Sequence, residues 1–170
     1  RAVLAAHHAG VAEALAYLDE HVGTRRGHAG HEHVSGQGLL AVGFDHRTSR
    51  EGDPLLHTHL VVANRVQGPD RRWTALDGRD LYRHRQAADA IYRASYQREL
   101  VRTLGVEWTP ADAHGNRELI GVPDDLVRLF SKRTDQIDLE VERLEASGRE
   151  RTPRLVKWTV PVLLITAGIL

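Results

Sequence analysis

The sequence predicts an α+β fold: an antiparallel sheet that carries three histidines, flanked by helices. Three observations predict it. Short runs rich in Val, Leu and Thr, separated by Gly, Pro, Ser and Asp, occupy the middle of the chain. Stripes of apolar residues at spacings of three and four lie on both sides of them. His46, His57 and His59 fall on the two sides of one turn-forming segment. Sheet residues alternate between faces and helical stripes repeat every three to four, so the two patterns are separable by eye.

The elements follow in order. Leu4, His8, Val11, Leu15, Leu18 and Val22 form the stripe of an amphipathic helix that stops near Gly23. Residues 24–38, rich in Gly and His, read as a short strand with a loop. Residues 39–48 ("LLAVGFDHRT") and 55–66 ("LLHTHLVVANRV") read as strands joined by the turn residues 49–54. Gly68-Pro69-Asp70 makes the next turn and residues 72–77 ("RWTALD") a third strand. Three strands on short turns predict an antiparallel meander. A long helix over 78–104 follows, with Leu81, Ala88, Ile91, Tyr92, Tyr96, Leu100 and Leu104 as its buried stripe and Gly105 as its stop. A hairpin turn is expected at His114-Gly115-Asn116. One helix is expected from Pro123 to Gly148, with Asp124 and Asp125 at the positive end of its dipole and Leu126, Leu129, Phe130, Ile137 and Leu144 along one face.

Composition limits the function. The 170 residues suffice for one domain with a core, and 27% charged against 41% hydrophobic is the balance of a globular chain. Net charge is zero, which excludes a uniformly basic nucleic-acid binder. The charge is uneven, however: residues 65–102 hold nine Arg against five acids, and residues 111–150 ten acids against six bases. A basic face therefore remains open. With no Cys, disulfides and thiolate metal sites are excluded, so a protein metal site must use His, Asp or Glu. There is no Met, even at position 1, and the chain opens inside a helical pattern. The expectation is a piece whose start lies upstream. No signal peptide is visible, and the expected location is cytoplasmic. Residues 158–170 ("WTVPVLLITAGIL") carry no charge but are too few to span a bilayer, which takes about 20 apolar residues. A truncated span with membrane contact, a tail left by a frameshift or insertion, and a buried strand all fit. The organisation expected is a domain over 1–148 and a divergent tail over 149–170.

His57 and His59 share one face of their strand, and Thr58 points away. If the two strands form a hairpin centred near Glu51-Gly52, His46 falls opposite them, with Cβ atoms about 5 Å apart. Three imidazoles with open positions left over make the pattern of a catalytic metal site. Asp45 and Asp53 are candidates to orient the ligand rings. H-x-H alone is a weak motif, and the third histidine is what raises it. His28, His31 and His33 sit in a Gly-containing stretch and read as solvated. His7, His8, His21, His84 and His114 read as surface residues. Arg47 and Arg50 flank the triad, Arg72 opens the third strand, and Arg79 and Arg83 follow it. These five are candidates for nucleic-acid contact, against the plain alternative of a salt-bridged solvated face.

The stretches "HRTSREGDPLLHTHLVVAN" (46–64) and "RWTALDGRDLYRHRQAADAIYRASYQRELVRTLGVEW" (72–108) resemble the relaxase domain of conjugative DNA-transfer proteins. The class is MobF, or TraI/TrwC-like, within the HUH endonucleases (His-hydrophobic-His), and the resemblance covers residues 1–148. Thr58 stands at the central position, a mild departure. The resemblance implies a palm-like antiparallel sheet with flanking helices. It implies cleavage and rejoining of single-stranded DNA at an origin of transfer through a tyrosine–DNA bond, with His46, His57 and His59 as metal ligands and Mg or Mn as the ion. Imidazole ligands by themselves suit Zn, Ni or Cu better. Other relaxosome proteins are conceivable partners. In this class the nucleophilic tyrosines and an acidic residue lie before the triad, and this stretch starts after both. Tyr17, Tyr82, Tyr92 and Tyr96 read as packing residues. No catalytic nucleophile is expected within this chain, and the stretch alone should not cut. Two alternatives stand beside this reading: a catalytically dead remnant that binds metal or single-stranded DNA only, and a metal-dependent hydrolase using the same histidines with Glu51 or Asp53 as base.

Overall fold

The computed structural model describes residues 1–113, 115–146 and 164–168. The order is α1 (Ala2–His21), β1 (Gly23–Arg26), a 3-10 turn (His28–Gly30), β2 (Glu32–Ser35), β3 (Leu39–Thr48), β4 (Pro54–Gln67), β5 (Trp73–Thr74), α2 (Gly78–Leu104), α3 (Asp124–Leu129), α4 (Lys132–Ala146) and β6 (Leu164–Gly168). The expected α+β class is what forms. The chain divides into two compact units. One holds Arg1–Asp45, His57–Gly105 and β6, and the other holds His46–Leu56 and the described residues over 106–146.

In the first unit, β3, β4 and β5 are neighbours in that order, with β6 added to β4. The connection from β3 to β4 is too short for a parallel crossover, so the two form an antiparallel hairpin. β5 pairs antiparallel with the end of β4, at Val66↔Thr74 and Gln67↔Trp73. It is much shorter than the strand expected over 72–77. Asp77 gives its N–H to Gly23 O, and Leu76 bridges to Thr24, so the chain leaves β4 after two residues to cover a second, smaller sheet. That sheet pairs β1 with β2 antiparallel, from Gly23↔Ser35 to Arg26↔Glu32. Here the sequence reading expected one strand and a loop.

The apolar tail was open between three readings. Its described part, Leu164–Gly168, is a strand, parallel to β4 from His59↔Leu164 to Ala63↔Gly168. Residues 158–163 and 169–170 lie outside the described residues. Among the described residues no helix is long and apolar enough to cross a membrane.

The core is built by α1 and α2. Ala14, Leu18 and Val22 meet Leu81, Ala88 and Tyr92, and Val11, Tyr17, Leu39, Leu76 and Tyr96 pack around them. Each fully buried Leu or Val contributes about 1.5–3 kcal/mol relative to exposure. The buried face of α1 keeps Leu18 from the expected stripe of large residues, and Val22 is buried just past its end, but most of the face is small. It is Ala6, Gly10, Ala14 and Leu18, with His7 beside them. His8 is exposed. Small residues every fourth position let α2 come close: a Cβ on Gly10 would stand 2.8 Å from Tyr92 Cδ2 and 2.9 Å from Tyr92 O. α2 starts and stops where the sequence indicates. Asp77 caps it, accepting from Arg79 N–H at 3.0 Å, and Gly105 closes it in the left-handed region at φ 65.

The second unit departs from expectation in one respect. The helix expected from Pro123 to Gly148 is broken in two. Phe130 leaves helical geometry, and Ser131 ends the first piece with its hydroxyl on Val127 O. Leu126, Leu129 and Phe130 are exposed, so they do not line a buried face. The turn expected near Gly115 is present: Thr109 N–H meets Glu118 O, Ile120 N–H meets Glu107 O, and Asp112 accepts from Asn116. His114 lies outside the described residues.

Candidate metal centre

The turn between β3 and β4 is made by its own residues. Ser49 N–H donates to Asp53 O at 2.9 Å, and Gly52 N–H to Ser49 O at 3.1 Å. Ser49 Oγ accepts from the N–H groups of Glu51 and Asp53. Gly52 supplies the left-handed residue at φ 79. This local chemistry sets the hairpin, and the hairpin brings the histidines together. His46, His57 and His59 each offer a ring nitrogen, and the three atoms lie within 4.8 Å of one another. The expected triad geometry is therefore what the structure shows.

His57 is buried, His59 half-buried and His46 exposed. The Nε2 atoms of His57 and His59 are 3.2 Å apart, with the rings edge to face at 68°. Two nitrogens each bound at about 2.0–2.1 Å to one ion stand about 3.3 Å apart in a tetrahedral site and about 3 Å in an octahedral one. The observed spacing falls between these. Three neutral donors, no thiolate and one exposed side fit a divalent ion with coordination positions left open.

The opposite face of the same two strands carries polar groups that the sequence reading missed. Thr58 Oγ1 donates to Asp45 Oδ1 at 2.6 Å, and the His8 ring meets Asp45 Oδ2 at 2.6 Å. Asp45 therefore faces away from the triad and does not orient its rings. Thr58 first, and then His8, hold the Asp45 carboxyl below the usual carboxylate range. His7, read from the sequence as a surface residue, is fully buried. Its Nε2 meets Thr58 Oγ1 and its Nδ1 meets Tyr92 OH, both at 2.7 Å. Burial lowers its pKa from the ordinary histidine value, partly opposed by Asp45. The only sequence signal was that His7 falls on the Ala14–Leu18 side of α1. Asp53, the other proposed ring-orienting acid, is buried with Oδ1 3.9 Å from Lys132 Nζ.

The other histidines are placed differently. His33 is on β2 with Nε2 2.7 Å from Asp80 Oδ2, which is how the small sheet joins the first turn of α2. Tyr17 OH bonds His84 Nδ1 at 2.8 Å, and the His21 ring stacks on Tyr17. His21 and His84 therefore belong to a side-chain cluster between the helices, although His21 is exposed. Among the candidate arginines, Arg47 and Arg50 lie on the triad hairpin and are exposed. Arg47 is one residue out of phase with His46, on the Asp45 side of the strand. Arg72 lies 3.7 Å from Asp70, Arg83 lies 3.6 Å from Asp80, and Arg79 opens α2. Leu40, Val42 and Phe44, exposed by 60%, 57% and 52%, alternate along β3 in phase with His46.

A helix-backed sheet with three histidines on its open face defines a metal-site domain of the relaxase type. Residues 1–160 match the TrwC relaxase family, and the chain belongs to it. It is 35% identical over 113 residues to the multifunctional conjugation protein TraI of Escherichia coli, covering 61% of this chain and 6% of that protein. The structure is similar to that of the conjugative relaxase TrwC in complex with oriT DNA in its metal-free form. The TM-score is 0.78 and identity 30%, over 92% of this chain and 53% of that one. A copper-bound TrwC–oriT complex is similar at TM-score 0.77 and 30% identity, over 92% of this chain and 51% of that one. The chain thus spans about half the length of the solved relatives and a small part of the curated ones.

Proposed function

We propose that this chain is the metal-binding part of a conjugative relaxase, one that nicks and rejoins single-stranded DNA at an origin of transfer through a tyrosine–DNA intermediate. The observation that carries it is the convergence of His46, His57 and His59 on one face of the hairpin in a chain of this family. We assign these three as ligands of a divalent ion. Mg or Mn follows from the family resemblance; Zn, Ni or Cu suits the donors, and the copper-bound TrwC complex supports that class. A bound ion there supplies positive charge to the scissile phosphate oxygens as charge develops.

The chain's own residues hold, orient and neutralise. His57 and His59 are fixed by the strand, and His46 by the turn. Arg47 and Arg50, both exposed on the triad hairpin, are assigned to contact with phosphates, Arg47 from the Asp45 side of its strand. Arg72, Arg79 and Arg83 are assigned to backbone contact further along the strand. The attacking hydroxyl is assigned to a segment beyond this stretch. Tyr92 OH is buried against His7, and burial pushes its pKa up. Tyr17 OH is held by His84, and Tyr82 lies under the Arg85 guanidinium. The relaxase part is proposed to run over 1–148. The domain is proposed to work in the cytoplasm.

The test is cleavage of an end-labelled single-stranded oriT oligonucleotide by the product of the whole reading frame and by the 170-residue chain. The expected result is a covalent protein–DNA adduct from the former, none from the latter, and loss of at least about 100-fold on His57→Ala, as removal of a transition-state charge stabiliser costs. Adduct-free hydrolysis by the 170-residue chain would overturn this reading in favour of a hydrolase. Binding of the oligonucleotide should weaken steeply with salt.

A further inference from the structure

The three proposed ligands leave one face of the hairpin, and the residues that flank them in sequence meet on the other. Asp45 immediately precedes His46. Thr58 stands between His57 and His59. The bond between Thr58 Oγ1 and Asp45 Oδ1, 2.6 Å long, therefore ties together the two strands at the positions next to all three ligands.

The direction of the remaining bonds follows from the donors available. Ionised Asp45 accepts only, so the Thr58 hydroxyl spends its one proton there. Thr58 Oγ1 must then accept from His7 Nε2–H. A neutral imidazole carries one N–H, so His7 Nδ1 accepts, and the Tyr92 hydroxyl donates to it. The chain runs Tyr92 to His7 to Thr58 to Asp45 and ends on a carboxylate whose other oxygen takes His8 Nε2. His7 and Tyr92 are 0% exposed and Thr58 is 3% exposed. Burying this much polarity is costly when unpaired, and each interior member is paired on both sides.

Resting on the metal-site reading above, we infer that Tyr92, His7, Thr58 and Asp45 form a positioning network that sets the spacing of His46, His57 and His59 without touching the ion. A strand slipped by one residue turns all its side chains over, so register decides whether His46 joins the other two. The open face cannot set register by packing, because Leu40, Val42 and Phe44 there are exposed. The turn chooses which residues stand opposite one another, and on the other face the Thr58–Asp45 bond, which forms in that register only, locks it. Valine would fill the Thr58 site equally well, so packing alone does not account for a hydroxyl there. The buried His7 ring, held by Tyr92 of α2, then fixes Thr58 to the helical layer.

The test is cobalt(II) titration of the full 170-residue chain followed by visible absorption, with thermal unfolding of the same samples without metal. Thr58→Val is expected to weaken cobalt binding about 10- to 100-fold, the range for partners that orient ligands. It should also change the cobalt absorption band, while the protein stays folded. Thr58→Ser, which restores the hydroxyl, is expected to return most of the lost affinity. A Thr58→Val protein that melts lower yet binds cobalt as the parent does overturns the inference, since a merely stabilising role moves only the melting temperature. If Thr58→Val does not fold, Tyr92→Phe makes the same test by removing one hydroxyl. Weaker binding with an altered band is then expected, and unchanged binding overturns the inference. Failure of the underlying reading looks different: the parent chain and His57→Ala then bind cobalt equally poorly, and both proposals fall.

Discussion

His7 shows what burial does to one residue. The bonds around it assign a neutral ring in the folded chain, with Nδ1 accepting from Tyr92 and Nε2–H donating to Thr58. Burial lowers its pKa below the ordinary 6.5. The unfolded chain takes up this proton near pH 6.5 and the folded chain only lower, so the contribution to stability is complete above pH 6.5 and is lost as pH falls below it. The expected outcome is a His7 ring in the Nε2–H form at neutral pH that takes up its proton only below 6.5. Long-range proton–nitrogen correlation of the imidazole reads this directly, and a midpoint at or above 6.5 would sink the assignment. Sequence reading placed His7 on the surface because a histidine on a helix has no visible partner. Its partners are 85 and 51 residues away.

At the scale of the elements, α1 and α2 pack through small residues. Gly10 leaves room for Tyr92, and without that close approach Tyr92 OH would not reach His7. Gly10→Ala gains about 1 kcal/mol of helix propensity but places a Cβ 2.8 Å from the Tyr92 ring and 2.9 Å from its carbonyl. Overpacking of this kind costs about 1–3 kcal/mol. Because one of the atoms met is backbone, the clash should win. We expect a fall in melting temperature of a few degrees, and a rise would show that propensity wins. The helix boundaries were legible because caps are local: Asp77 and Gly105 act on their own turns. The buried stripe of α1 was not, since apolar patterning rewards large side chains and this contact is made by Ala6, Gly10 and Ala14. The break at Phe130–Ser131 was missed for a related reason. An apolar run continues through it, and the Ser131 hydroxyl that terminates α3 reads as an ordinary helix residue.

For the whole molecule, the assigned site predicts linkage between metal and folding. An ion that binds the folded chain only, at 100 times its Kd, stabilises by about 2.7 kcal/mol. At this length that amounts to a rise of roughly 5–10 °C in melting temperature. Calorimetry with and without Mn(II), Co(II) and Ni(II) should show the rise, its reversal by chelator, and its absence in His46→Ala. No rise with any divalent ion would argue against the site. The order of the three ions in this measurement also ranks the metal classes left open between the donor chemistry and the family resemblance.

The sequence by itself determined the α+β class, the hairpin, the triad and the resemblance to the relaxases. The class, the hairpin and the triad depend on strand alternation, turn residues and short spacings, and the resemblance rests on the motif stretches 46–64 and 72–108. Only the tertiary structure decided what lies behind the triad. It buried His7 against Thr58 and Tyr92 and turned Asp45 away from the triad rings onto Thr58 and His8. It shortened β5 so that the chain could cover the small sheet, and laid Leu164–Gly168 beside β4. These arrangements join residues remote in the chain, and no local periodicity encodes which of them will meet. The three histidines were legible because they are neighbours in sequence; the network inferred to position them was not, because its members become neighbours only on folding.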